Sequence, residues 1–539
     1  MSSNLIRGTF ILTLGTFISK FLGLFYVIPF YSIIGGADAA ALYSYGYVPY
    51  TIFISIATAG IPLAVSKYIA KYNAIEEYAV GRKLFKSGLV IMLLTGFAAF
   101  LIMYSFAPFF AALSLNGKET TYTIEEVATV IRAVSFALII VPFMSVTRGF
   151  FQGHQSMGPS AVSQVVEQIA RIVFLLGGAY IVIYVMNGSI VTAISVATFA
   201  AFIGAVFGLA VLYWYFFKRK KQLDKLLEQD KGQTDVSLFS MYSEIVVYAI
   251  PFIFVGIAIP LYQLIDQLTF AKAMSMIGVT KPDTAFGILN FSTQKLVIIP
   301  VSLATAFAMT LVPMVTSSFV KRDMDVVTQQ LNKTFEVLLF LTVPAAVGMA
   351  LLAKPLYTIF YDPSVLGTDV LRVYAPVAIL FALFSVTAAI LQGINEQRFT
   401  VLSLLTGILV KLSLNIPLIR LFETEGAVYA TALGYLTSII INLIVIRFYA
   451  NYSLRPLAKK IGLIVGFNAA MAVVVMALYG ALSFVLSAES DGTALLMTLI
   501  CAGGGAVVYF VLSQKFGLLD EVFGSRLDGI KRKLRLKKA

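Results

Sequence analysis

The chain has 539 residues, 59% of them hydrophobic and 12% charged, with a formal net charge of +13. That balance excludes a water-soluble globular domain and places most of the chain in hydrocarbon. One cysteine (Cys501) and one histidine (His154) exclude an intrachain disulfide, a cysteine-histidine zinc site and a Ser-His-Asp hydrolase.

A helix rises about 1.5 Å per residue and needs about 20 residues to cross a hydrocarbon core of ~30 Å. Breaking the apolar runs at Gly, Pro, Asn and charge clusters predicts fourteen transmembrane helices, near 8–34, 43–70, 84–113, 126–152, 158–186, 189–217, 242–271, 285–317, 327–353, 367–393, 398–421, 426–449, 461–487 and 493–514. The expected fold class is thus an all-α integral membrane protein. The amino terminus, "MSSNLIRGTFILTLG", has no A-x-A-like cleavage site and reads as a retained first helix.

The connections set sidedness. Lys67, Lys71, Arg82, Lys83 and Lys86 follow helix two; Lys218 to Lys221 follow helix six; Lys321 and Arg322 follow helix eight; Arg455, Lys459 and Lys460 follow helix twelve. The alternate loops carry acids, as in "GGADAAAL" and "FETEG". The positive-inside rule then puts both termini in the cytoplasm. The tail "SRLDGIKRKLRLKKA" reads as a segment lying on anionic lipid, with nucleic acid the weaker partner.

The sequence repeats itself. "VIRAVSFALIIVPFMSVTRGFFQGHQ" (130–155) resembles "VLRVYAPVAILFALFSVTAAILQGIN" (370–395) without a gap at an offset of 240. Residues 1–217 therefore form an N-lobe of helices one to six, 218–240 a basic cytoplasmic linker, and 241–450 a C-lobe of helices seven to twelve. Residues 451–516 add helices thirteen and fourteen, and 517–539 a basic cytoplasmic tail. Six crossings per unit make these parallel repeats, an arrangement in which transporters bind substrate between halves that rock against each other.

Several charges fall in the wrong solvent. A charge at the bilayer centre costs at least about 2.5–3.5 kcal/mol on insertion scales, so it must face a partner, protein or water. Lys20 stands twelve residues into helix one, about 18 Å along its axis. Glu167 and Arg171 lie deep in helix five, Asp266 in helix seven, Lys295 in helix eight and Lys411 in helix eleven. Arg171 and Lys411 are 240 apart, at equivalent places in the two copies. Simpler roles stay open: Glu167 and Arg171 as an i,i+4 pair, Lys411 against Asp266, Lys295 at an interface, and Arg148 as a topological charge near the end of helix four. Four deep cations against two acids favour an anionic ligand, expected to be phosphorylated, because guanidinium and ammonium groups match phosphate oxygens.

The stretch "SKFLGLFYVIPFYSIIGGADAAALYSYGYVPY", with "AGIPLAVSKY" and the "QG" closing helices four and ten, resembles the MOP exporter superfamily. Within it, the chain resembles the MurJ-type lipid II flippases and their stage V sporulation protein B branch of Gram-positive bacteria. The resemblance implies a bacterial plasma-membrane flippase moving an undecaprenyl-pyrophosphate-linked disaccharide pentapeptide from the cytoplasmic to the outer leaflet by alternating access. It puts Lys20 at the first basic position of the family's S-R-x-L-G-x-x-R and departs at Tyr26, where the second would stand. It puts Lys295 at the helix-eight cavity cation. Arg171 and Lys411 complete the expected pyrophosphate set, with Tyr26, Glu167 and Asn415 as cavity-lining candidates. Some relatives hold sodium with acids on helices seven and eleven; Asp266 is the ion-coupling candidate, but helix eleven offers Lys411 and Asn415. No cofactor is implied, and drive by the membrane potential, Na+ or H+ stays open. Expected partners are lipid II, anionic lipids at the basic loops and tail, and the cell-wall synthesis machinery. Alternatives are a flippase for another undecaprenyl-linked glycan in polysaccharide or spore-cortex export, a multidrug cation exporter, a glycosyltransferase and a non-transporting scaffold. Deep cations disfavour the exporter, and short loops without a D-x-D cluster disfavour the enzyme.

Overall fold

A computed structural model describes the backbone of residues 3–58, 60–115, 120–232, 236–453 and 455–523, and side chains from Leu12 on, except at 13, 57, 303–314, 317 and 523. The stretch 524–539 of the expected basic tail lies outside the described residues. Within them, all regular structure is helical. The order is α1 (Ser3–Phe25), α2 (Val27–Ile34), α3 (Ala37–Thr58), α4 (Ile61–Ala74), α5 (Tyr78–Ser105), α6 (Ala107–Ser114), α7 (Ile124–Ser135), α8 (Ala137–Gly153), α9 (Met157–Tyr180), α10 (Ile190–Glu228) and α11 (Leu238–Met276). Then come α12 (Asp283–Gly287), a π-helical turn (Ile288–Thr293), α13 (Gln294–Val320), α14 (Met324–Leu351), α15 (Ala353–Phe360), α16 (Val365–Tyr374) and α17 (Val377–Gly393). The chain closes with α18 (Arg398–Tyr449), α19 (Arg455–Ser483), α20 (Asp491–Lys515) and α21 (Leu518–Phe523).

Many helices are pieces of one crossing, divided where proline enters the first turn or the cap of the next piece. Pro62, Pro108 and Pro376 stand at such places, where a missing N–H costs no helical hydrogen bond. Thirteen stretches of the described residues are long and apolar enough to cross a membrane. One of them, α18, has 52 residues, about 78 Å of helix, far beyond a ~30 Å core. Its backbone breaks at Glu423 (φ 51°, ψ −132°), and counting its halves separately gives the fourteen expected crossings. Large apolar side chains such as Leu94, Val173 and Val507 are exposed, while Lys411, Asn415 and Asp266 are buried. This inside-out distribution is the one lipid solvent requires. Cys501 is enclosed within α20 at 0% exposure.

The chain forms two compact units, Met1–Phe291 with Asn415–Arg420, and Ser292–Leu414 with Leu421–Ala539. The lobes read from the sequence describe a repeat, and compactness divides the chain elsewhere. The segment 218–240 does not part the units, because α10 continues unbroken through Lys218–Lys221 to Glu228. Arg82 pairs with Asp224, Lys231 with Glu76 at 2.8 Å and Lys71 with Glu244 at 3.5 Å. These contacts and the packing of α11 on α3 and α4 hold helix seven of the sequence reading within the first unit.

In the first unit, Tyr68, Ile69, Leu84, Phe85, Val146 and Phe150 form an apolar core shared by α4, α5 and α8, with the Phe85 and Phe150 rings stacked at 4.1 Å. In the second, α14 and α17 share a core around Leu331, Phe335 and Val386. A further cluster joins α14 to α19 and α20 through Phe340, Phe467 and Tyr509.

Candidate functional site

Three helices of the first unit turn polar stripes toward one hollow. On α9, Gln164, Glu167 and Arg171 recur at helical spacing; on α8, Ser145, Arg148 and Gln152 do the same; on α3, Tyr47, Tyr50, Thr51 and Thr58 lie on one face. Together they line a cavity of about 340 Å³. In lipid, such stripes are tolerated because they face protein or water.

Close helix approach fixes the charged wall. On α10, "GAVFG" places Gly204 and Gly208 one turn apart. A Cβ at Gly204 would stand 2.7 Å from the Glu167 carbonyl oxygen, and one at Gly208 would stand 3.1 Å from Glu167 Cβ. Only side chains of minimal size let α10 come this near α9. On the other side, Gly15 of α1 faces Ala161, and Thr16 donates to Gln164 Oε1 at 2.9 Å.

At the centre, Glu167 bridges two arginines. Arg148 Nη2 donates to Glu167 Oε2 at 2.8 Å, and Arg171 Nη2 donates to Glu167 Oε1 at 2.9 Å. Arg148 also donates to Ser163 Oγ at 2.8 Å, and the Ser163 hydroxyl in turn donates to the Gly208 carbonyl oxygen at 3.0 Å. The three charged side chains are 13%, 14% and 21% exposed for Arg148, Glu167 and Arg171. Two guanidiniums against one carboxylate leave the wall positive. Arg171 Nε is buried and has no hydrogen-bond partner.

The structure brings Glu167 and Arg171 together, as their spacing suggested, and adds Arg148, which the sequence presented as a topological charge. The other residues singled out by sequence lie elsewhere. Lys20 is exposed on α1, next to Ser19, whose hydroxyl reaches the Gln164 carbonyl at 3.4 Å. Tyr26 is buried in the break between α1 and α2, its ring 6.2 Å from that of Phe30. Lys295 is partly exposed on α13, just past the π-helical turn. Lys411, at 0% exposure, donates to Thr431 Oγ1 at 2.6 Å and points at the Ala427 carbonyl at 3.4 Å. A ligand could reach it only if the halves of α18 parted. Asn415 donates to Asp266 Oδ1 at 3.1 Å and to Thr269 Oγ1 at 2.7 Å, so two candidates from distant helices meet in one buried polar knot.

Sequence reading missed Arg148, Tyr47, Tyr50 and Gln152. The signal was present as polar residues at i, i+3, i+4 and i+11 on α3 and at i, i+3 and i+7 on α8, set in largely apolar helices.

The fold is that of a multi-pass transporter of the MOP type. A solved structure of "Lipid II flippase MurJ, inward closed conformation" superposes with a TM-score of 0.67 at 15% identity, covering 94% of this chain and 98% of the other. An inward-facing multidrug resistance MATE family transporter of the MOP superfamily gives 0.64 at 15% identity, covering 80% and 94%. At such identities, likeness speaks for fold alone. Sequence goes further: the family described as "Polysaccharide biosynthesis protein" matches residues 5–319. The Lipid II flippase MurJ of Bacillus subtilis (strain 168) is 49% identical over 543 residues, 99% of each chain. The chain belongs to the MurJ-type lipid II flippases of the polysaccharide biosynthesis protein family.

Proposed function

We propose that the chain flips lipid II, the undecaprenyl-pyrophosphate-linked peptidoglycan precursor, from the cytoplasmic to the outer leaflet by alternating access. The observation carrying this reading is the 49% identity, over 99% of both chains, with a flippase of that name. The positive wall of the first-unit cavity supports it chemically. A diphosphate loses hydration when it leaves water, and guanidinium forks replace those hydrogen bonds. Cation export would call for the opposite polarity.

In this reading Arg171 takes phosphate oxygens, Arg148 and Glu167 complete the positive wall around it, and Lys20 and Lys295 are further substrate-binding candidates, each within its own unit. Tyr26 is a packing residue of the α1–α2 break. Lys411 joins the halves of α18 in the present state and becomes a ligand only if they separate. Asp266, held by Asn415, is the place for coupling to Na+ or H+. With both termini cytoplasmic, an inside-negative potential favours return of the empty cationic site inward. Anionic lipids at the basic loops and contacts with the cell-wall synthesis machinery complete the expected surroundings.

Complementation tests the function. In cells depleted of their own lipid II flippase, expression of this chain should restore growth and labelling of lipid II in the outer leaflet. Failure of a membrane-inserted chain to restore either would overturn the proposal. Lys20→Ala should rescue less well than the native chain; equal rescue would make Lys20 structural.

A further inference from the structure

Glu167 is the feature of the cavity that phosphate recognition alone does not explain. An acid in the wall of an anion site repels the ligand, and two arginines without it would bind a phosphate more tightly. Yet the carboxylate is placed to engage both guanidiniums, at 2.8 and 2.9 Å, and α10 is brought against its helix turn by Gly204 and Gly208. The wall also keeps donor capacity in reserve, because Arg171 Nε is buried without a partner. An unmet buried donor is costly and calls for an acceptor.

We propose that Glu167 is a resident counter-anion, a built-in stand-in for phosphate that the headgroup displaces from Arg171 on entry and that reclaims Arg171 on exit. This rests on the flippase reading above. A carboxylate and a phosphate each present paired oxygens to a guanidinium fork, so one can take the other's place without moving the arginine far. In the empty state Glu167 prevents two like charges from facing each other in a medium of low dielectric. In the loaded state phosphate oxygens occupy the Arg171 donors, including the idle Nε, while Arg148 retains Glu167 and its second anchor, Ser163. Glu167 thereby weakens binding and speeds release, as a carrier that must unload its cargo requires. It is a positioning residue, and its effect divides between affinity and turnover.

The test uses the full-length protein in detergent micelles, with inorganic pyrophosphate as the binding probe, and in liposomes, with lipid II translocation as the turnover readout. Glu167→Gln keeps the shape and removes the charge. Pyrophosphate should bind about tenfold more tightly, while translocation at saturating lipid II slows; Glu167→Asp, which restores the charge, should fall between Gln and native on both measures. Unchanged or weaker pyrophosphate binding by a Glu167→Gln protein of native thermal midpoint would overturn the proposal. Should that variant not fold, Arg171→Gln carries the test, because it leaves a neutral Arg148–Glu167 pair. Its pyrophosphate affinity should drop at least about tenfold, and unchanged affinity would be equally fatal. Native protein that binds pyrophosphate with this pattern but does not translocate lipid II would defeat the flippase reading and leave the exchange standing. Translocation by native protein and by Glu167→Gln at equal rates and affinities would do the reverse.

Discussion

Arg171 and Lys411 stand 240 residues apart, at matching places in the two copies of the repeat, and the structure treats them differently. Arg171 lies in a cavity wall, paired with Glu167 and with Arg148 close by. Around Lys411 the matching positions are Gly407 and Ala388, and the ammonium is enclosed, donating to Thr431 across the halves of α18. The first copy has a second cation and a bridging acid, which line a charged hollow. The second copy has neither, and its amine is enclosed. A deep cation in the sequence therefore marks expense, and its neighbours decide whether that expense serves a ligand or a helix joint.

The largest effect that would sharpen this contrast is on stability in the second unit. Lys411→Ala leaves a void and removes the donor to Thr431 Oγ1, which keeps only its own bond to the Ala427 carbonyl, and should cost about 3 kcal/mol, read as a lowered thermal midpoint in detergent. A loss under about 1 kcal/mol would erase the distinction drawn here. Next in size, Gly204→Val forces a branched side chain against the Glu167 carbonyl and should cost about 2 kcal/mol by overpacking, with α9 and α10 losing protection from hydrogen exchange first. Arg171→Lys puts the residue of the second copy into the first. It keeps the charge but loses the planar fork, and lipid II translocation should fall about tenfold, equivalent to ~1.4 kcal/mol, with little change in thermal midpoint. Native turnover would show that the first copy needs only a positive charge.

The smallest effect concerns His154, just past α8. Its Nδ1 lies 2.9 Å from the Phe150 carbonyl oxygen and its ring packs 4.4 Å from that of Phe150. Burial holds the imidazole below its ordinary range despite that hydrogen bond, and Arg82 pushes the same way. The unfolded chain then takes up the proton first, so the neutral ring's stability is complete above about pH 6.5 and declines as pH falls toward the folded value. His154→Asn should flatten the acid side of the thermal-midpoint profile by a few tenths of a kcal/mol. An unaltered profile would place acid sensitivity elsewhere.

The crossings were legible because each is long, apolar and bounded by charge or proline; even the two crossings within α18 were separable, since "FETEG" breaks the apolar run. The Glu167–Arg171 pair was legible because its partners lie one helical turn apart. Arg148 was not, since its contact with Glu167 joins two helices, α8 and α9, on both of which α10 packs through Gly208, and glycine carries no polarity to announce it. The enclosure of Lys411 depends on Thr431, twenty residues on and across a sharp reversal. The charged stretch after helix six suggested a boundary, yet Lys218–Lys221 continue α10, because charge ends a membrane crossing without ending a helix.

Cys501 also has a practical side. With the sole thiol sealed within α20 at 0% exposure, the natural chain serves as a silent background for thiol-directed spectroscopy. A cysteine introduced at Thr51 or Gln152 would take up a maleimide label without a competing reaction, and its fluorescence or spin-label mobility would follow cavity hydration through a turnover.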